Sequence, residues 1–289
     1  MRVAVLGAGG IMGLPMARNL ARARLSVIAW DRSPDKITPL AHEGVEVIGS
    51  SAQAATGAGL VLTMLADAQA VLEAMDGPRG AAAAMTTGAI WAQMSTIGEA
   101  ATDECARLAA DRGLIFVDAP VLGTRQPAEQ GQLVILASGP AEVRDQVQLV
   151  FDVLGRKTIW VGEAGGGTRL KLVTSSWVLS VVEAGAETIA LAEGLGLRPG
   201  LFLDAIEGSA LDLPYLRVKA AAIAERNFEP AFRLWLAAKD AALVEEAASR
   251  HELDLPVLRA IRERLEEGAR QHGDEDFSAT YLTSAPRPI

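Results

Sequence analysis

The stretch Arg2-Val3-Ala4-Val5-Leu6-Gly7-Ala8-Gly9-Gly10-Ile11-Met12-Gly13 is an apolar run of strand length that breaks into a glycine cluster. Glycines directly after a first strand let the backbone approach a pyrophosphate, and the amides of the helix that follows favour its negative charge. Gly7, Gly9 and Gly13 read G-x-G-x-x-x-G, longer by a residue than the usual dinucleotide fingerprint. A glycine turn can also be plain tight packing, but its place between a strand and a helix favours a phosphate cradle made by Gly7, Gly9, Gly10, Ile11 and Met12. The next apolar run ends in Trp30-Asp31-Arg32-Ser33, about 20 residues beyond the turn, where an acid holds ribose hydroxyls and an arginine holds an extra phosphate. Both residue types are present. Asp31 repels a 2′-phosphate that Arg32 attracts, and an exposed Asp-Arg pair in a turn is the plainer alternative. Ser33 and Lys36 add donors, so the balance tips narrowly to NADP over NAD.

Working outward, short β-rich runs alternate with alanine-rich helical stretches as far as residue 162. The predicted strands are Val3–Leu6, Ser26–Trp30, Leu60–Leu65, Ala89–Met94, Leu114–Asp118, Leu133–Ser138 and Thr158–Val161. That rhythm predicts an α/β domain with a doubly wound, mainly parallel sheet over residues 1–162. After Gly162 the β signal stops, and helical periods separated by Gly194-Leu195-Gly196, Asp212-Leu213-Pro214 and Asn227-Phe228-Glu229-Pro230 run on, which predicts an all-helical domain over 163–289. A cleft between the two, closing on cofactor, is the expectation. The tail from Ala285 to Ile289 reads as loose.

A chain of 289 residues with 50% hydrophobic and 22% charged residues is globular in composition. The net charge of −9, with no concentration of Lys and Arg, argues against a nucleic-acid partner held through its phosphates. One cysteine, Cys105, and scattered His42, His251 and His272 offer neither an internal disulfide nor metal-ligand spacing, and a reducing cytoplasm fits. No signal-peptide pattern opens the chain. The most apolar region, Leu170 to Leu197, carries Lys171, Glu183, Glu187 and Glu193, so it reads as a helix buried in protein rather than a membrane span.

Lys171 stands where a glycine run opens that helix, in Gly165-Gly166-Gly167-Thr168-Arg169-Leu170-Lys171. Residues i, i+3 and i+4 share a helix face, so Lys171, Thr174 and Ser175 converge on one small site. A partly buried ammonium there is suited to protonating an alkoxide; a lysine snorkelling to solvent is the competing reading. Asp118-Ala119-Pro120-Val121-Leu122-Gly123-Thr124 runs from a strand into a loop, a position where backbone amides meet ligands in open α/β sheets. Arg125 follows, suited to a carboxylate or simply to the surface. Lys239-Asp240 closes an apolar stretch from Phe232, and read alone Lys239 is a solvated helix residue.

With these residues in view, the chain resembles the β-hydroxyacid dehydrogenases, the group containing 3-hydroxyisobutyrate dehydrogenase, tartronate semialdehyde reductase and glyoxylate/succinic semialdehyde reductase. Ile11-Met12-Gly13 matches the family's glycine turn, Met94-Ser95-Thr96 its M-S-T segment, and Asp118 to Thr124 its D-A-P-V-S-G-G substrate loop. Further on, Gly165 to Lys171 matches G-x-G-x-x-x-K, Phe232 to Asp240 matches the F-to-K-D element, and Gly273 to Ala279 matches G-D-x-D-x-S-A. The resemblance covers nearly the whole chain. It implies a Rossmann domain, a long helix leading into an all-helical C-terminal domain that shapes the substrate cleft, and homodimers or homotetramers built through that domain. It further implies Lys171 as general acid/base, a nicotinamide near Leu65, Ala66 and Thr96, and Lys239 at both cofactor and substrate. Leu122, Gly123, Thr124 and Ser175 are the implied substrate neighbours.

Three departures from the family pattern stand out. The substrate-loop serine is Leu122 and the second glycine is Thr124, the asparagine four residues after the lysine is Ser175, and the glycine turn is lengthened. The expected activity is NAD(P)-dependent interconversion of a small carbonyl compound, a semialdehyde or keto acid, with its hydroxy product. Imine reduction on the same scaffold and a non-catalytic dinucleotide-binding module are the alternatives; retention of Lys171 weighs against both.

Overall fold

The computed structural model describes residues 1–77 and 79–285, so all of the loose-reading tail beyond Ala285 lies outside the described residues. Two compact units divide the chain, Met1–Lys171 and Leu172–Ile289. That division falls inside the helix Gly166–Gly194.

The first unit is built on a six-stranded sheet of β1 (Arg2–Leu6), β2 (Ser26–Trp30), β3 (Glu46–Val47), β4 (Leu60–Thr63), β5 (Ile90–Gln93) and β6 (Ile115–Asp118), in the order β3-β2-β1-β4-β5-β6. Every pairing in it is parallel. Side chains alternate across a strand, and here both sides are apolar. Val3, Val5, Leu60, Leu62, Ile90 and Ala92 join one core cluster, while Ala4, Leu6, Val61 and Trp91 join another. A parallel sheet is covered on both faces. On the first side lies α1 (Gly13–Arg22), which contributes Met16 and Leu20. The second is covered by α2 (Ser51–Ala55), α3 (Ala68–Met75), α4 (Ala81–Ala84) and α5 (Gly98–Asp111), which adds Cys105 and Ala109. Trp91 packs edge-on to Phe116 with ring centroids 5.2 Å apart.

The single sheet read from the sequence is in fact two. β7 (Val121–Leu122) pairs antiparallel with β8 (Leu133–Ala137), which pairs in parallel with β9 (Gly155–Trp160). Between β7 and β8 sits α6 (Arg125–Glu129), and α7 (Arg144–Leu154) precedes β9, placing Val147, Val150 and Phe151 in the first core cluster. β3 and β7 escape a sequence reading because two residues cannot display an alternation.

The helix α8 (Gly166–Gly194) carries the chain out of the first unit. In the second unit it is followed by α9 (Gly200–Ile206), α10 (Pro214–Ala224), α11 (Leu234–Arg250) and α12 (Pro256–His272), and among the described residues of this unit the only β pairing is the isolated bridge Arg233–Asp276. Pro214 and Pro256 stand at the first helical position, where a missing N–H costs nothing. The core joins Leu179 and Val182 of α8 to Ala237, Ala241 and Val244 of α11 and to Ile261 and Leu265 of α12. One polar hub is buried here. Asp276 accepts from the Lys219 ammonium at 2.7 Å, from Ser278 N and Oγ at 3.0 and 2.7 Å, and from the amides of Ala231 and Phe232 at 3.0 and 3.2 Å. Burial pushes the Asp276 carboxyl up, but the Lys219 ammonium and the Ser278 donors outweigh it and hold the group below the usual carboxylate range. No described helix is long and apolar enough to cross a membrane.

Candidate active site

The strand order reverses beside β1, and in open α/β sheets ligands bind at the carboxyl ends of the strands at such a point. The chain builds a cavity of about 390 Å³ there, lined by Gly7, Gly9 and Gly10 after β1 and by Asp31, Arg32, Ser33 and Lys36 after β2. Leu65 and Ala66 after β4 complete one wall, and Glu73, Ala70 and Ala74 of α3, none of them singled out from the sequence, form another. Gly7 has φ +90°, and a Cβ there would meet Met64 O at 2.2 Å, so no other residue fits the turn. Its amide and that of Ala8 donate to Trp30 O at 2.9 and 3.1 Å, locking the turn to β2. Ile11 and Met12 lie just ahead of α1 and outside this lining.

Asp31 is committed to the protein itself. Its Oδ2 accepts from Gly9 N at 2.9 Å and its Oδ1 from Ser33 N at 2.8 Å. The carboxylate thus ties the glycine turn to the loop after β2, while Arg32 and Lys36 stand exposed at the same cavity. A bare glycine turn, an apolar wall and two flanking cations fit a dinucleotide.

Gln93 and Ser95 hold the loops on the nicotinamide side of the expected site. Ser95 Oγ accepts from Leu65 N at 2.8 Å; Gln93 Oε1 accepts from Ser95 N at 2.7 Å, and its amide donates back to Ser95 O at 2.8 Å. Thr96 follows directly and is half-buried. The M-S-T motif marks the segment, but nothing in its letters reveals that the serine braces the loop after a different strand.

Leu122 and Thr124 are half-buried and Gly123 is exposed, in the turn from β7 into α6. Arg125 pairs with Glu129 at 3.0 Å along α6. Lys171 is half-buried on α8, with Ser175 one turn on and buried. In the second unit, the Lys239 ammonium lies 2.9 Å from Asp240 Oδ1 on α11, with 20% of its side chain exposed, so it is no freely solvated lysine.

The first turn of α8 is anchored to the strand ends. Asp118 accepts from Thr168 N at 2.7 Å, Thr168 Oγ1 at 2.8 Å and Ser138 Oγ at 3.1 Å. Burial pushes this carboxyl up, and the Thr168 and Ser138 hydrogen bonds pull the other way. A Cβ on Gly167 would meet Leu136 O at 2.2 Å, so glycine is required for the helix to start this close to β8.

Comparison with known proteins agrees with this architecture. Residues 2–162 match the NAD binding domain of 6-phosphogluconate dehydrogenase, and residues 165–283 match the NAD-binding region of NADP-dependent 3-hydroxyisobutyrate dehydrogenase. Glyoxylate/succinic semialdehyde reductase 1 of Arabidopsis thaliana is 30% identical over 280 residues, 96% of each chain. The solved structure of 3-hydroxyisobutyrate dehydrogenase from Mycobacterium tuberculosis, with L-serine, superposes with a TM-score of 0.85 at 28% identity over 98% of each chain. An imine reductase from Myxococcus stipitatus covers 98% of each chain at 18% identity and a TM-score of 0.61, a likeness of fold. The chain belongs to the β-hydroxyacid dehydrogenase family and is an NAD(P)-dependent oxidoreductase of that type.

Proposed function

We propose that the protein reduces a semialdehyde or keto acid to its hydroxy acid, with Lys171 as proton donor and NADPH as the preferred reductant. The observation that carries this reading is the anchoring of α8 to the carboxyl ends of the strands, the same edge at which the glycine turn and the Asp31–Arg32 loop line one cavity. Gly7, Gly9 and Gly10 would face the pyrophosphate, Asp31, Arg32, Ser33 and Lys36 the adenosine ribose, and Leu65, Ala66 and Thr96 the nicotinamide. A bound nicotinamide supplies the hydride. Lys171 gives a proton to the carbonyl oxygen as negative charge develops on it. Ile11 and Met12 stay as candidates for the turn through the family motif. The same resemblance supports backbone groups of Leu122, Gly123 and Thr124 as the carboxylate hold, Ser175 and Lys239 as further substrate residues, and Lys239 also toward the cofactor.

The NADP preference is supported by the way Gly9 and Ser33 occupy both Asp31 oxygens, which leaves the neighbouring cations to set the charge seen by a 2′-phosphate. A cytoplasmic homo-oligomer is the accompanying reading. The second unit exposes Trp177 at 65%, Leu191 at 62% and Val218 at 64%, large apolar side chains of the kind that subunit contacts cover. The apolar Leu122 in place of a serine keeps cyclic imines as a second substrate class.

The test is initial-rate kinetics with NADPH and NADH on glyoxylate, succinic semialdehyde, other small hydroxyacid and keto acid pairs, and cyclic imines. Turnover of the carbonyl compounds above the imines is expected; turnover of imines alone overturns the reading.

A further inference from the structure

We propose that Asp118 and Thr168 form a positioning clamp for Lys171, an inference that rests on the reading of Lys171 as proton donor. The first backbone N–H groups of a helix find no partner within it. In α8 those of Gly167 and Thr168 are taken by side chains from the strand ends, Ser138 Oγ at 2.9 Å and Asp118 Oδ2 at 2.7 Å. Thr168 then adds a second bond to the same carboxylate, its hydroxyl donating to Oδ1 at 2.8 Å.

One capping bond satisfies an amide; two bonds from one residue to both oxygens of one carboxylate also fix the rotation of the helix about its axis. The hydroxyl is walled on its other side by Thr102 Oγ1 at 3.1 Å, which itself donates to Gly98 O at 2.7 Å. Asp118, Ser138, Thr102 and Thr168 are each at most 3% exposed, so water does not compete for these bonds. The clamp is separate from the dinucleotide cradle, whose lining includes none of the four.

Thr168 and Lys171 are i and i+3, neighbours on one helix face and about 4.5 Å apart along the axis. Slack at Thr168 is transmitted directly to the lysine, and a misplacement of about 1 Å at a reacting group costs about 10²-fold in rate. Asp118 and Thr168 touch no reacting atom in this scheme. They act through Lys171, as positioning residues.

Thr168→Val removes the hydroxyl while keeping the side-chain volume and the backbone bond. With glyoxylate or succinic semialdehyde and NADPH we expect kcat to fall about 10- to 100-fold, with KM and cofactor Kd changed by no more than about twofold. In the wild type and variant alike, hydrogen exchange at amides 167–171 reads the clamp without turnover, and should quicken about tenfold in Thr168→Val. Thr168→Ser should restore both. A merely structural role would lower the melting temperature and leave kcat per folded molecule intact. If Thr168→Val does not fold, Asp118→Asn, which keeps the shape and loses one acceptor, carries the same expectations. Wild-type exchange in the folded variant, or loosened exchange with wild-type kcat, overturns the clamp. Should Lys171→Ala keep wild-type turnover, the proton-donor reading fails instead, and the exchange rates still decide whether Asp118 and Thr168 hold the helix.

Discussion

A lysine six residues into a helix is an ordinary surface residue until the turn beneath it is seen to be pinned by a buried carboxylate. If Lys171 protonates the developing alkoxide, Lys171→Ala should lower kcat by about 10²–10⁴ and leave cofactor affinity intact. Lys171→Arg should fail nearly as badly, because a guanidinium stays protonated and cannot act as a tuned acid. Steady-state kinetics on variants with matched melting temperatures check both. At the ribose end, NADPH should bind at least as tightly as NADH, and Arg32→Ala should weaken NADPH while leaving NADH nearly unchanged. A fluorescence titration showing a preference for NADH of about tenfold, about 1.4 kcal/mol, would mean that Asp31 still governs the choice. Cys105 offers a third check at this scale. Burial, with Glu104 and Asp118 nearby, pushes its thiol up to about 12. A thiol-specific chromogenic reagent at pH 8 should therefore react with the native protein far more slowly than with the unfolded chain.

Among the elements, α10 and the segment after α12 are joined by the Lys219–Asp276 pair, both side chains about 95% buried. Removing one partner of a buried pair leaves an uncompensated charge, so Asp276→Ala should cost about 3–5 kcal/mol in urea unfolding. The sign of the pH effect follows from the depressed carboxyl. The stabilisation is present above the ordinary aspartate value of 3.8 and is lost as pH falls through it toward the lower folded value. Asp276→Asn should therefore flatten this part of the acid limb of the stability curve. These elements also mark what the sequence could disclose. The parallel sheet was legible because β1, β4 and β5 are apolar on both faces and ended by turn residues, and the helical unit because its periods are broken by Gly, Pro and Asn. The glycine turn and the loop after β2 were legible as candidate cofactor neighbours through residue type and spacing, the loop after β4 only through the family resemblance. The clamp on α8 was not, because its members Thr102, Asp118, Ser138 and Thr168 come from separated segments that only folding brings together. Nor was the commitment of Asp31, since an aspartate that accepts two backbone amides and one that waits for a ribose are the same letter.

For the whole molecule, the exposed apolar side chains of the second unit predict association. Gel filtration with light scattering should give a dimer or tetramer, and Trp177→Glu should shift it to a smaller species, since a charge in an apolar subunit contact has no partner. Another consequence concerns how this protein can be taken apart. Because α8 starts within the first unit and continues as part of the core of the second, its opening turn and its later turns answer to different halves of the chain. A gene fragment beginning at residue 163 would carry Gly167 and Thr168 away from Ser138 and Asp118, leaving two bare amides at its leading end and depriving the buried Ser138 and Asp118 of those donors in the part left behind. Exchange of modules between relatives should therefore tolerate a junction after Lys171 better than one at the glycine loop, so that the lysine travels with the strand ends that aim it.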